Sequence, residues 1–160
     1  MRPALGPNNS PSRGRFAGRL NSGIRHHMKN SVRTKTWSAS LPDGWTHSAD
    51  DDCVVFVGPE DIGALQISSY KKDQLVREQD LADFAEEHLE AGARPTTVAF
   101  GKYTGFRIAF GVDDFFWQQW YLRQGAQMLF VTYNCPAASR TREDREVIEL
   151  LSSLAPQDGA

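Results

Sequence analysis

The clearest pattern in the chain lies between Pro95 and Pro136. Four apolar, β-branched and aromatic runs (TTVAF, GFRIAF, DFFWQQWYLR and AQMLFVTYNC) are separated by turn-forming residues at Gly101–Gly105, Gly111–Asp114 and Gln124–Gly125. Links this short predict antiparallel neighbours. Upstream, TWSASL from Thr36 to Leu41 predicts a short strand, and PDG at Pro42–Gly44 a turn. CVVFVG, starting at Cys53, is β-branched enough for another strand. In ALQISSY, Leu65 and Ile67 alternate with Gln66 and Ser68, a half-buried strand that pairs with the preceding one across PEDIG.

The period changes twice. From Glu78 to Ala91, Leu81, Phe84, Ala85, His88 and Leu89 fall on one side while Asp83, Glu86, Glu87 and Glu90 fall on the other, predicting an amphipathic helix. Asp80 is expected to cap its start and Gly92 its end, with Pro95 forbidding continuation. A second helix follows at Thr141–Leu154, with Thr141 and Asp144 as a capping pair and Val147, Ile148, Leu150, Leu151 and Leu154 as its stripe. The order β-β-β-α-β-β-β-β-α predicts an α+β fold: an antiparallel six- to seven-stranded sheet flanked by helices.

Sorting the longest aromatic run by period two puts Phe115, Trp117, Gln119 and Tyr121 on one face, and Phe116, Gln118, Trp120 and Leu122 on the other. The next run is also apolar on both sides, with Met128 and Phe130 facing one way and Leu129, Val131 and Tyr133 the other. A sheet covered on one face alternates apolar with polar, and these strands do not. Helices on both faces are therefore expected, although two helices are too few to cover both faces of so wide a sheet. The uncovered remainder would present aromatic residues to a partner.

Charge changes the picture at the N-terminus. Of eighteen Lys and Arg, eight fall in residues 1–36, which hold no acid, while all twenty Asp and Glu lie in 37–160. Residues 1–34, rich in Pro, Gly, Asn, Ser and Arg without periodicity, are expected to be a disordered basic tail. Met28 offers an alternative start, and His26 and His27 read as solvated residues. Residues 35–156 then form a single domain. The net charge of −10 over residues 37–160 argues against nucleic acid as a partner. No apolar run is long enough for a membrane span, and the tail lacks the apolar core of a secretory signal, so a cytoplasmic protein is expected.

The common catalytic and phosphate-binding motifs are missing. His47 lies in WTHSADDD beside serine and acids, but triad members normally come from separate elements. Asp50, Asp51 and Asp52 with Glu60 and Asp61 lack the spacing of a calcium loop, and Asp113–Asp114 suits a hairpin turn. Cys53 and Cys135 form no C-x-x-C or zinc spacing and read as two reduced thiols, a disulfide being the alternative. No cofactor or metal is expected, and no enzyme activity.

The strand ending in LPDGW (Leu41–Trp45), a hairpin, a helix, a meander ending in MLFVTYNC and a closing EVIELLSSL helix together resemble the PsbP-like superfamily. That group includes photosystem II extrinsic subunits, Mog-type Ran-binding factors, DcrB lipoproteins and type VI effector chaperones. The resemblance spans about residues 35–156 and implies an α/β/α sandwich that binds another protein without chemistry. A bacterial accessory, chaperone or immunity-type role is the expectation, with small-ligand binding on an aromatic-lined sheet as the alternative. The candidate interface is Trp45, Trp117, Gln119 and Tyr121, as large aromatic side chains anchor protein interfaces.

Overall fold

The computed structural model describes residues 30–51 and 53–157. The expectations for the tail up to residue 29, including Met28, His26 and His27, fall outside these residues. In chain order the strands are β1 (Ser31–Arg33), β2 (Trp37–Ser40), β3 (Thr46–Asp50), β4 (Cys53–Val57), β5 (Ala64–Lys71), β6 (Thr96–Phe100), β7 (Tyr103–Val112), β8 (Phe115–Gln124), β9 (Gln127–Pro136) and β10 (Ala155–Pro156). The helices are α1 (Glu78–Phe84), α2 (Glu86–Glu90) and α3 (Asp144–Ser152), with a single 3-10 turn at Ala137–Ser139.

Seven strands form one antiparallel sheet in the order β3-β4-β5-β9-β8-β7-β6, and a small antiparallel sheet has the order β1-β2-β10. The fold is the α+β arrangement the periodicity predicts, with two departures. The strand expected at Thr36–Leu41 lies in the small sheet, because its partners are β1, read from sequence as basic tail, and β10. An additional edge strand, β3, occupies Thr46–Asp50, where the sequence read as an acidic lead-in. All five of its residues are exposed, so no apolar alternation marks it.

Two apolar layers sandwich the large sheet. On one side, α3 contributes Val147, Leu150 and Leu151, and the small sheet contributes Trp37 and Ala39, against Phe56, Leu65, Ile67, Trp120, Leu122, Leu129 and Val131. On the other side, Leu81 and Ala85 pack on Ile108, Tyr121 and Phe130, with Phe84 and Leu89 at the margin. Burying a side chain of this size contributes about 1.5–3 kcal/mol, so β8 and β9, apolar on both faces, anchor both layers. Ile148, expected in the α3 stripe, is instead 45% exposed. The stripe narrows to Val147, Leu150, Leu151 and Leu154.

Helix ends show where local rules held. The α1–α2 segment is one predicted helix interrupted at Ala85 (φ −96°, ψ 11°). Asp80 is not the cap but sits in the first turn, where its carboxylate accepts the Arg77 backbone N–H at 2.8 Å. That bond and Lys72 hold its carboxyl below the usual value. At the far end Gly92 (φ 102°) terminates α2, with Ala93 N–H bonded to the His88 carbonyl and Gly92 N–H to Leu89. This is the left-handed glycine stop that the sequence predicts.

The start of α3 differs from expectation. The helix begins at Asp144 with no side-chain cap, so the Thr141–Asp144 capping pair does not form. Glu143 turns inward instead and accepts a hydrogen bond from Tyr133 Oη at 2.7 Å and from the backbone N–H groups of Ile62 and Gly63. Burial raises its pKa against these stabilising bonds. The Glu143 Oε2 atom and the Trp45 indole crowd Gly58 so closely that a Cβ there would lie 2.7 Å from the oxygen. The Trp45 of LPDGW therefore belongs to a buried joint that ties β4, the loop into β5, and α3 together.

Candidate functional site

The large sheet has opposite ends and faces, and one corner is left apolar and open. The β7–β8 hairpin turns through Asp113 and Asp114, with Asp113 at φ 57°, a left-handed angle suited to a two-residue hairpin turn. Register then sets the side chains: Val112 lies opposite Phe115, and Phe110 opposite Trp117. All four project from the face that α1 and α2 cover further along the strands. Cross-strand partners of this kind lie about 4.5–5.5 Å apart, and i, i+2 neighbours about 7 Å apart. The four side chains therefore form one contiguous patch.

Ring stacking extends the patch toward the helices. Phe110 and Trp117 stack with centroids 6.4 Å apart and planes 2° from parallel. The His88 ring of α2 stacks on Phe110 at 4.8 Å. Beyond it, Tyr121 packs on Phe106 and Phe130, each at 5.1 Å, and Phe84 of α1 closes over Tyr121 and Phe130. Two aromatic clusters thus lie along this face, one under the helices and one at the open hairpin end, with the Ile108–Gln119 pair between them. Phe115 and Val112 are 45% and 47% exposed there, and Trp117 is half-buried. Neighbouring strands continue the surface with Asn134, Thr132, Gln66, Val55 and Val57.

Charge around this corner is mainly acidic, with exposed Arg94 the cation in the loop that leaves α2. Asp113 and Asp114 form the tip, and the exposed carboxylates Glu86, Glu87 and Glu90 lie on α2, which reaches the patch through His88. The register sends no Lys or Arg of β3, β4, β5, β7, β8 or β9 onto this half of the face. Arg140 lies over Phe116 at 5.7 Å, on the opposite face.

The structure separates the four candidate residues. Trp117 lies in the open patch. Tyr121 and Gln119 share its face but are each 1% exposed, and the Tyr121 hydroxyl donates to Gln119 Oε1 at 2.6 Å, so they satisfy one another in the core. Burial raises the Tyr121 pKa. Trp45 is 3% exposed and lies on the α3 side. Gln119, Tyr121 and Trp45 therefore offer a partner almost no surface. Phe110, Val112 and Phe115 were not singled out in sequence. The period-two sorting had already placed Phe115 beside Trp117, and the turn at Asp113–Asp114 brings in the other two.

Other sequence candidates are dispersed. His47, itself exposed, opposes Phe56 on the α3 side, where partial desolvation lowers its pKa, while Ser48 points to the other face. Asp50 and Asp51 lie at one end of β4, and Glu60 and Asp61 beyond its other end. Among the described residues no three His, Cys, Asp or Glu gather as metal ligands. Cys53 and Cys135 are free thiols on opposite faces of the sheet, so the disulfide alternative fails.

No family model matches the chain, and no curated protein sequence matches it. Solved structures do. A Bacteroides thetaiotaomicron protein aligns with a TM-score of 0.55 at 16% identity, over 76% of this chain and 45% of its own length. The chain thus spans less than half of that protein. LpqN of Mycobacterium tuberculosis, described as involved in cell envelope biogenesis, aligns at 0.52 with 12% identity, over 81% of this chain and 85% of its own. The Saccharomyces cerevisiae Ran-binding protein Mog1p aligns at 0.52 with 11% identity, over 80% and 95%. At these identities the likeness concerns the fold alone, an α+β arrangement shared with LpqN and Mog1p, and Mog-type factors are among the group that the sequence resembles.

Proposed function

We propose that this chain is a non-catalytic protein-binding module whose docking surface is the open end of the β7–β8 hairpin, centred on Phe115 and Trp117. One observation carries the reading. A hairpin tip free to be polar instead holds Val112 and Phe115 nearly half exposed, next along the strands to the stacked Phe110–Trp117 pair on which His88 lies. Keeping such a patch in water costs solubility, and patches of this kind mark interaction sites. Mog1p, a Ran-binding protein of the same fold, supports binding as the mode of action. The proposed unit is the single domain of residues 35–156 together with the β1 strand that completes its small sheet. Within this reading, an accessory, chaperone or immunity-type role in the bacterial cytoplasm is the finer proposal.

The test is site-specific photocrosslinking in cells of the source organism. A photoreactive phenylalanine at position 115 is compared with one at Ile148, which is equally exposed (45%) but lies on α3 across the sheet. A discrete adduct at 115, weak or missing at 148, supports the surface. Identical adduct patterns at both positions, or none at 115, overturn it.

A further inference from the structure

The partner's chemistry can be read from what frames the patch. We infer that the surface takes a cationic segment carrying at least two closely spaced apolar side chains. This inference rests on the docking reading above and extends it. The floor offers four apolar side chains, Phe110, Val112, Phe115 and Trp117, in a two-by-two array about 5 Å by 7 Å. An array of that size receives two apolar side chains, whether at i, i+2 of a strand or i, i+4 of a helix. The frame decides the remainder. Asp113 and Asp114 stand at the tip, and Glu86, Glu87 and Glu90 on the helix that stacks on Phe110.

No basic side chain of β3, β4, β5, β7, β8 or β9 shares that half of the face. Of the cations nearby in sequence, Arg140 lies over Phe116 on the opposite face and Arg142 pairs with Glu60 at 2.7 Å, which leaves exposed Arg94, beyond the Gly92 stop, against the carboxylates of the tip and α2. A partner bringing acids would face like charge from both the tip and α2. A partner bringing lysine or arginine beside its apolar residues meets attraction on two sides of the patch. Polar neighbours Gln66, Thr132 and Asn134 add hydrogen-bonding groups without changing the sign.

Tryptophan placement supplies the assay. Trp37, Trp45 and Trp120 are 1%, 3% and 0% exposed, so Trp117 is the one tryptophan of the four that acrylamide reaches. The full chain is titrated with a short synthetic peptide alternating lysine with leucine and valine, and with the same peptide carrying glutamate for lysine. The lysine peptide is expected to shield Trp117 from acrylamide and the glutamate peptide to leave it exposed. Neutralising the tip with Asp113→Asn and Asp114→Asn, asparagine tolerating the left-handed angle, is expected to weaken the lysine peptide roughly tenfold. Raising ionic strength from about 0.05 to 0.5 M is expected to weaken it similarly. Phe115→Ser keeps every charge and is expected to abolish shielding.

Three results overturn the inference: equal shielding by both peptides, lysine-peptide binding that persists in Phe115→Ser, and salt-induced unshielding of Trp117 with no peptide present. The second would mean unspecific attraction to the acidic domain, and the third that the chain's own basic N-terminal stretch holds the face. An acidic partner crosslinked at position 115 would overturn the cationic inference and leave the docking surface standing.

Discussion

Tyr133→Phe tests the joint that holds α3 to the sheet. The hydroxyl lost in this variant donates to Glu143 Oε1 at 2.7 Å, in surroundings where Tyr133 is 1% and Glu143 6% exposed. A hydrogen bond to a charged group contributes about 1.5–3 kcal/mol. Because Glu143 keeps the Ile62 and Gly63 backbone donors, about 2 kcal/mol is expected near neutral pH. That corresponds to a melting temperature lower by roughly 6–10 °C for a domain of this size.

The pH dependence has a definite sign. Burial raises the Glu143 pKa above its unfolded value of 4.5, while the Tyr133 bond lowers it. A raised carboxyl holds its proton in the folded state where the unfolded chain has released it. This contribution is therefore fully present below the unfolded pKa and lost as pH rises through the folded one. Without the Tyr133 bond the folded value climbs further, so the variant loses more over the same rise. Urea unfolding of both proteins at about pH 4 and pH 8 reads the difference. The gap should be small at the acid end and full at the alkaline end. A loss below about 0.5 kcal/mol at pH 8, or a larger loss at pH 4, would refute the assignment of a buried, bonded carboxylate.

Three further outcomes follow from the same geometry. Tyr121→Phe, which removes the 2.6 Å bond to Gln119, should cost about 1–2 kcal/mol in urea unfolding yet leave crosslinking through position 115 unchanged, as the ring stays under Phe84. Gly105→Ala should cost more than about 3 kcal/mol, or abolish folding, because its Cβ would overlap the Tyr121 backbone carbonyl on β8; circular dichroism melting checks this. Iodoacetamide should label Cys53 in the native protein and Cys135 only after unfolding, since Cys135 is buried with its thiol pKa raised, while Cys53 is half-buried; mass spectrometry distinguishes the two.

Trp45 and β3 show where local pattern stopped being informative. LPDGW reads as a turn with an aromatic beside it, and the turn is there, the Trp45 N–H bonding to the Pro42 carbonyl. Nothing local says that the indole lies against Gly58, which is thirteen residues away, beside a carboxylate from the start of α3. β3 left no mark, because an edge strand exposed on both faces has no buried side to impose alternation. The capping pair at Thr141 failed for a related reason: the inward turn of Glu143 was fixed by Tyr133, Ile62 and Gly63 from elsewhere in the chain.

The sequence by itself determined the elements that bury a face. Period two wrote β5, apolar β-branched and aromatic runs bounded by turn residues wrote β4, β7, β8 and β9, and period 3.6 wrote the α1–α2 segment and α3, because the backbone that buries a side chain sets how apolar positions recur. It also placed Phe115, Trp117, Gln119 and Tyr121 on one side of β8, since alternation is a property of the strand alone. Which of those four meets solvent was a tertiary decision. Phe84 packs on Tyr121, α2 reaches only to Phe110 through His88, and the remaining length of β8 extends past the helices. Cover of a sheet face depends on where a helix from a distant part of the chain lands, and no periodicity within the strand records that.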